Sequence, residues 1–82
     1  MQYSKWEISW ALRRFGVEVE EIRAAGTFIM NDAKNKRCAN LSSTSVNYYL
    51  VSVCDYNSYL ISQYKFPTCK KAVEYLEEYF SK

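Results

Sequence analysis

The sequence predicts a small α+β domain in which helices cover one face of a three-stranded antiparallel meander, in the order α-α-β-β-β-α. Apolar residues recur at helical spacing near both ends of the chain, at 5–15 and 69–80. Between them, segments rich in β-branched and aromatic residues indicate strands. The length of 82 residues is below that of a typical single domain, so residues 1–82 are predicted to form one domain.

The first helix is predicted from Lys5 to Phe15. Ser4 and Glu7 have the spacing of a capping box, in which each side chain bonds to the backbone amide of the other residue. Gly16 can adopt the left-handed conformation that ends a helix. The residues of the expected buried stripe are Ile8, Ala11, Leu12 and Phe15, with Trp6 and Trp10 on its flank.

The segment Val17–Ala25 fits either a helix or a strand, because it begins with strand-like alternation and continues with helix-forming residues up to Gly26. We favour a short helix from Glu18 to Ala25, since its acidic residues would then lie at the positive N-terminal end. A strand is predicted at Thr27–Met30. The polar stretch Asn31–Val46 is predicted to be a long loop, a kind of connection that is often functional or mobile.

A β-hairpin is predicted from Asn47–Cys54 and Tyr59–Phe66, which flank a four-residue turn. Pairing Cys54 with Tyr59 sets a register in which alternate residues share a face. The face that we expect to form core carries Tyr49, Val51, Val53, Leu60 and Tyr64.

The last helix is predicted to begin after Pro67, which ends the preceding strand, with Thr68 as its N-cap. Its apolar residues continue at helical spacing to the end of the chain. They are Cys69, Ala72, Val73, Leu76 and Phe80.

The second face of the hairpin is the main candidate for a partner-binding surface. Helices can cover only one side of a small sheet in so short a chain, which leaves apolar and aromatic side chains on the other side. Tyrosine is enriched at protein interfaces, and seven of the eight tyrosines lie in the range 48–79. In the alternative, the first helix or the long loop covers this face. The candidate residues, with Tyr56 at the hairpin tip, are Tyr48, Leu50, Tyr56, Tyr59, Ile61 and Lys65.

A basic strip is the second candidate site. Lys34, Lys36 and Arg37 lie in the predicted loop, and Lys70 and Lys71 begin the last helix, so together they could bind phosphate groups. The alternative is an ordinary solvated surface. The net charge of +2 comes from interspersed charges and does not by itself indicate a polyanion partner.

The segment 12–22 resembles helix-turn-helix DNA-binding segments in the spacing of its apolar residues around Gly16. The resemblance implies a recognition helix that reads DNA. This helix would open with Glu18, Glu20 and Glu21, which repel phosphate, so DNA reading is the weaker alternative.

Catalytic chemistry is not indicated. The chain has no histidine, the commonest general acid/base, and its two glycines are too few for a phosphate-binding glycine loop. Cys38, Cys54 and Cys69 include no CxxC pair and are interpreted as reduced thiols. A positive neighbour could activate only Cys38, beside Arg37, or Cys69, beside Lys70. We therefore expect no enzyme activity, no cofactor and no metal site.

The chain begins without the basic leader and apolar stretch of a signal peptide, and its apolar runs are far shorter than the roughly 20 residues of a membrane span. We expect a cytoplasmic protein that does not enter membranes.

In general character the chain resembles the small stoichiometric inhibitors that phages and mobile elements encode, including anti-CRISPR proteins, without a shared motif. This resemblance of type implies a non-enzymatic protein-binding module that occludes a site on a larger target. One alternative is a small nucleic-acid-binding transcriptional regulator. Another is a homodimeric structural subunit that uses the same sheet face.

Overall fold

Two helices and five strands make up a computed structural model that describes residues 5–22, 26–43, 47–56 and 60–82. The α+β class predicted from the sequence is confirmed. In chain order the elements are α1 (Lys5–Leu12) followed by a 3-10 turn (Arg13–Phe15), β1 (Glu18–Ile22), β2 (Thr27–Asp32), β3 (Arg37–Ser42), β4 (Tyr49–Asp55), β5 (Leu60–Phe66) and α2 (Cys69–Ser81).

The described strands form one antiparallel meander in the order β1-β2-β3-β4-β5. The prediction of three strands was therefore wrong in number, although the antiparallel meander itself was right. Each strand pairs with its neighbour in the chain, and both helices pack on the same face of the sheet. We call the helix-covered face the inner face and the opposite one the outer face.

The predicted second helix is a strand over its described part, 18–22, while residues 23–25 lie outside the described residues. Val19 turns inward opposite Met30, whereas Glu20 turns outward opposite Ile29. Alternation over 17–20 favours the strand, which places Val19 against the core and keeps Glu18 and Glu20 exposed on the outer face. The alternation ends there, since Glu21 lies on the inner face and Ile22 is exposed on the outer face.

The predicted long loop is also wrong, because it contains the end of β2, a tight turn at 33–36 and the whole of β3. Alternate side chains of β3 are buried, namely those of Arg37, Ala39 and Leu41. Strand propensity did not mark this segment, since an arginine and an alanine occupy two of its three buried positions. Lys36 has a φ of 54°, the left-handed conformation that closes the turn.

The predicted hairpin forms, but its register differs by two residues. Cys54 pairs with Ile61 and not with Tyr59, which lies outside the described residues. A shift of two leaves every side chain on the face where the alternation placed it. Val51 and Val53 are accordingly buried on the inner face.

The core lies between the inner face and the two helices. Ile8 and Leu12 of α1 and Leu76 of α2 are fully buried there. Thr68 caps α2 as predicted, since its side chain accepts a hydrogen bond of 3.2 Å from the Lys71 amide. Gly16 has the predicted left-handed conformation, with a φ of 72°, but it ends the 3-10 turn, because α1 itself already ends at Leu12 and not at Phe15 as predicted. The predicted capping box of α1 begins at residue 4, outside the described residues.

A buried arginine joins the sheet to the end of α2. The Arg37 guanidinium donates to the Tyr79 carbonyl at 3.0 Å and to the Phe80 carbonyl at 3.1 Å, which are among the last carbonyls of the helix. Its Nη2 also lies 3.3 Å from Oδ2 of Asp32, a fully buried carboxylate. The same carboxylate accepts hydrogen bonds from the backbone and side-chain amides of Asn35. We call Arg37, Asp32 and the end of α2 the arginine clamp.

Arg37→Met should destabilise the protein by about 3–5 kcal/mol, because it leaves the buried Asp32 carboxylate without its charged partner. Urea denaturation gives this free energy of unfolding. The matched control is Arg14→Met, which removes an exposed ion pair to Glu77 of 3.4 Å and should cost at most about 1 kcal/mol. Equal losses in the two variants would contradict the role of the clamp.

Candidate protein-binding surfaces

The outer face carries the partner-binding residues expected from the sequence. Ile61 is 71% exposed and Lys65 is exposed, while Tyr48 and Leu50 are half-buried. Both helices pack on the inner face, so the alternative in which α1 covers this face is wrong. The alternative in which the long loop covers it is also wrong over the described residues, because 31–43 forms strands and a turn.

These outer-face residues form two separate groups. At one end Leu50 is paired with Lys65, whose ammonium group lies 4.8 Å from the centre of the Tyr48 ring. At the other end Ile61 is paired with Cys54, four residues further along β4, which corresponds to about 13 Å. A polar pair lies between the groups, in which the Gln63 amide donates to the Ser52 hydroxyl at 3.1 Å. The expected continuous apolar patch is therefore interrupted.

Tyr56 is half-exposed near the second group and follows directly after β4. Its amide donates to the Lys36 carbonyl at 2.9 Å, which extends the pairing of β3 with β4 by one residue pair. Tyr56 lines an outer-face groove with Cys38, Ile29 and Asn31. The side chain thus lies close to the sheet, beside β2 and β3.

Three of the other tyrosines belong to the packing between β5 and α2. The Tyr75 ring lies 5.0 Å from the Tyr64 ring and 6.3 Å from the Tyr79 ring, measured between centres. Burial, with a hydrogen bond to Tyr64, raises the pKa of Tyr75 to about 12. These rings close the side of the core, so the abundance of tyrosine does not by itself mark a binding surface.

The expected basic strip is not assembled. Arg37 is buried in the arginine clamp at the end of α2, whereas Lys70 and Lys71 lie at the start of that helix. The length of α2 separates the two places by about 15 Å. Lys34 and Lys36 are exposed in the turn beside Arg37, so the predicted phosphate-binding residues divide into two small groups.

The helix-turn-helix resemblance is overturned as well. The would-be recognition helix begins as β1, whose five residues all pair with β2. A strand at the edge of a sheet that carries Glu18 and Glu20 on its exposed face does not present a helix to the major groove.

Among the described residues, the most exposed aromatic side chains lie on α1. Trp6 is 83% exposed and Trp10 is 71% exposed, and the two are one helical turn apart on the solvent side of the helix. The Arg13 guanidinium carbon lies 5.1 Å from the centre of the Trp10 ring. These side chains line a shallow groove with Ser9 and Val17. We call Trp6, Trp10 and Arg13 the tryptophan face.

The sequence contained a signal for the tryptophan face. Ile8 and Leu12 already fill the buried stripe of α1, which leaves Trp6 and Trp10 on another side of a short helix. Both tryptophans were predicted to flank the buried stripe, and neither was among the expected binding residues. Helical geometry alone could therefore have identified them.

A second arginine lies beside the tryptophan face. The Arg14 guanidinium carbon lies 4.8 Å from the centre of the Phe15 ring, and its Nη2 lies 3.4 Å from Oε2 of Glu77. The Arg14 side chain is largely exposed. This end of the domain therefore combines two exposed indole rings with two guanidinium groups.

Comparisons with protein-family models, curated proteins and solved structures return no match. Within the described ranges, no helix is both long and apolar enough to cross a membrane. In the same part of the chain, no three or more cysteine, aspartate or glutamate side chains are grouped so that they could hold a metal ion.

The Asp32 carboxyl in the arginine clamp has a perturbed pKa. Burial raises it, but the hydrogen bonds from Asn35 and Arg37 and the positive charge of Arg37 outweigh burial, so the pKa lies below its ordinary value. A depressed pKa in the folded state stabilises the protein above the unfolded pKa of about 3.9, and this contribution is lost as the pH falls through the folded value.

Asp32→Asn should therefore be less stable than the parent at about pH 7, and this difference should shrink as the pH falls below about 4. Urea denaturation at a series of pH values measures both free energies of unfolding. Glu77→Gln, which removes a partly exposed carboxylate on α2, controls for the change in net charge. A stability difference that stays constant down to about pH 2 would show that Asp32 is not charged in the clamp.

Proposed function

We propose that this protein is a small, non-enzymatic protein-binding module whose main contact surface is the tryptophan face. The observation that carries the proposal is the exposure of Trp6 and Trp10, at 83% and 71%, on one turn of a helix. Exposed apolar patches on small domains mark interaction sites, and tryptophan and arginine are the residues most enriched among energetic hot spots.

The anchoring of α1 in the core supports this proposal. Ile8 and Leu12 anchor α1 in the core, so the indole rings project from a fixed backbone. An anchored helix loses little conformational entropy on binding, and more of the contact energy contributes to affinity. The cation–π contact between Arg13 and Trp10 restrains both side chains before a partner arrives.

The charges of this surface favour an acidic partner. Arg13 and Arg14 lie beside the indole rings, and guanidinium groups form bidentate hydrogen bonds with carboxylates. The partner segment that fits has an apolar side chain to cover the rings and carboxylates on either side. Salt should weaken such a complex, mainly by slowing its association.

Occlusion is the mode of action that fits a chain of this size. A binding module of 82 residues without catalytic groups acts on a larger protein by covering a site. This is the action of small stoichiometric inhibitors such as those that phages and mobile elements encode, the general type that the sequence resembles. Nucleic-acid binding has less support, because Arg37 is buried and the lysines are divided between two places.

One specific observation supports the homodimer alternative. Strand β5 lies at an edge of the sheet, and its Ile61 is 71% exposed on the outer face. An edge strand can pair with a second copy through its backbone groups, and Lys65 is the only charged residue in β5. Size-exclusion chromatography of Ile61→Lys tests this alternative, since a dimer that buries Ile61, through the β5 edge or through the outer face, would dissociate.

Trp6→Ala and Trp10→Ala should each weaken partner binding by about 2 kcal/mol or more, roughly 30-fold, and change stability by less than about 0.5 kcal/mol. The tagged chain recovers its partner from the native host after nuclease treatment, and the dissociation constants of the variants for that purified partner are then measured. Leu50→Ala, on the outer face, is the control and should bind normally.

Arg13→Ala should weaken the complex and reduce its dependence on salt. A partner that binds the two tryptophan variants as tightly as the parent would contradict the proposed surface. Retention of nuclease-sensitive nucleic acid in place of a protein would favour the regulator instead.

A further inference from the structure

Two of the three cysteines lie directly opposite each other on the outer face. Cys38 in β3 and Cys54 in β4 are cross-strand partners, and both are half-buried and reduced. Opposite side chains in antiparallel strands have Cβ atoms about 4.5–5.5 Å apart. The sequence shows no CxxC pair, and only the pairing of β3 with β4 brings Cys38 opposite Cys54.

The backbone hydrogen bonds between β3 and β4 show that Cys38 and Cys54 form a hydrogen-bonded pair and not a non-hydrogen-bonded one. Because the Tyr56 amide donates to the Lys36 carbonyl at 2.9 Å, these two residues form a hydrogen-bonded pair. Hydrogen-bonded pairs alternate along an antiparallel ladder, so Cys38 and Cys54, two residues further in, form the next one. Their Cα atoms are then about 5.5 Å apart, within the range that a disulfide bond spans, and closing the bond draws the two Cβ atoms together to about 4 Å.

The surroundings give the two thiols different roles. Burial raises the pKa of the Cys54 thiol. The charge of Cys38, a hydrogen bond with Cys38 and the charge of Asp55 raise it further, in that order. The hydrogen bond with Cys38, followed by its charge, raises the pKa of the Tyr56 hydroxyl. Both groups therefore hold their protons more tightly than usual.

A small reagent can reach Cys38 from solvent. Its side chain lines an open groove of about 330 Å³ on the outer face, together with Tyr56, Ile29, Asn31 and the two carboxylates Glu18 and Glu20. Arg37, which the sequence suggested as an activating neighbour, lies on the inner face in the arginine clamp. Access from the groove therefore marks Cys38 as the thiol that a small reagent meets first.

We propose that Cys38 and Cys54 form a site of reversible oxidation, at which a small organic disulfide converts the two thiols into a cross-strand disulfide. This site lies on the outer face, away from the tryptophan face, and its test does not depend on the proposed function.

The reaction balances without another oxidant. The Cys38 thiolate attacks one sulfur of the small disulfide, forms a mixed disulfide and releases one thiolate, which takes a proton from water. The Cys54 thiol then loses its proton to solvent and attacks the Cys38 sulfur, which releases the second thiolate. Overall, two protein thiols are oxidised and one small disulfide is reduced to two thiols.

The test is to incubate the fully reduced chain with oxidised glutathione, quench it with acid and measure its intact mass. We expect a mass lower by two hydrogen atoms with no glutathione retained. Peptide mapping should find Cys38 linked to Cys54, and Cys69, which is buried at the start of α2, should remain a thiol. Retained glutathione without closure, or three unreacted thiols, would overturn the proposal.

Serine variants separate the two roles. Cys54→Ser should stop at a mixed disulfide on Cys38, Cys38→Ser should not close, and Cys69→Ser is the matched control that should close like the parent. Circular dichroism confirms that each variant is folded. If Cys54→Ser gave the same product as the parent, or if Cys69→Ser failed to close while folded, the assigned pair would be wrong.

Discussion

The arginine clamp is the contact on which the arrangement of the domain depends. The Arg37 side chain extends from the inner face of β3, forms an ion pair with the buried Asp32 and donates hydrogen bonds to two of the last carbonyls of α2. Helix ends have carbonyls without partners inside the helix, and here the sheet supplies the donor. A positive charge also suits the negative end of a helix. One side chain thereby fixes where α2 ends relative to the turn between β2 and β3.

The clamp also limits which side chains are exposed at the surface. Arg37 is buried in the clamp, so the basic residues around it cannot form a continuous strip on the surface. The rings of Tyr79 and Phe80 lie 5.3 and 5.9 Å from the same guanidinium carbon, which ties part of the aromatic content to packing. Among the described residues, most of the exposed large apolar side chains lie on the outer face of the sheet and the solvent side of α1.

The sequence revealed those elements whose buried residues are ordinary apolar ones. Both helices and the two faces of the hairpin were predicted, because Leu76 and Val51 lie at regular helical or strand spacing. The strand β3 was missed because Arg37 occupies a core position, and an arginine there is explained only by Asp32 and the end of a distant helix. The tryptophan face could have been predicted from the helical spacing of Trp6 and Trp10 relative to the buried stripe. The pairing of Cys38 with Cys54 required a strand that the sequence had not revealed.

The meander order has a consequence for how the chain folds. Every strand pairing in the described part joins neighbours along the chain, so the sheet can grow one hairpin at a time with only short loops to close. Topologies rich in such local contacts have a low contact order and fold quickly. Contacts between α1 and α2 and the reach of Arg37 to the end of α2 join distant parts of the chain. Their closure carries the largest entropic cost, and it is the step expected to limit the folding rate.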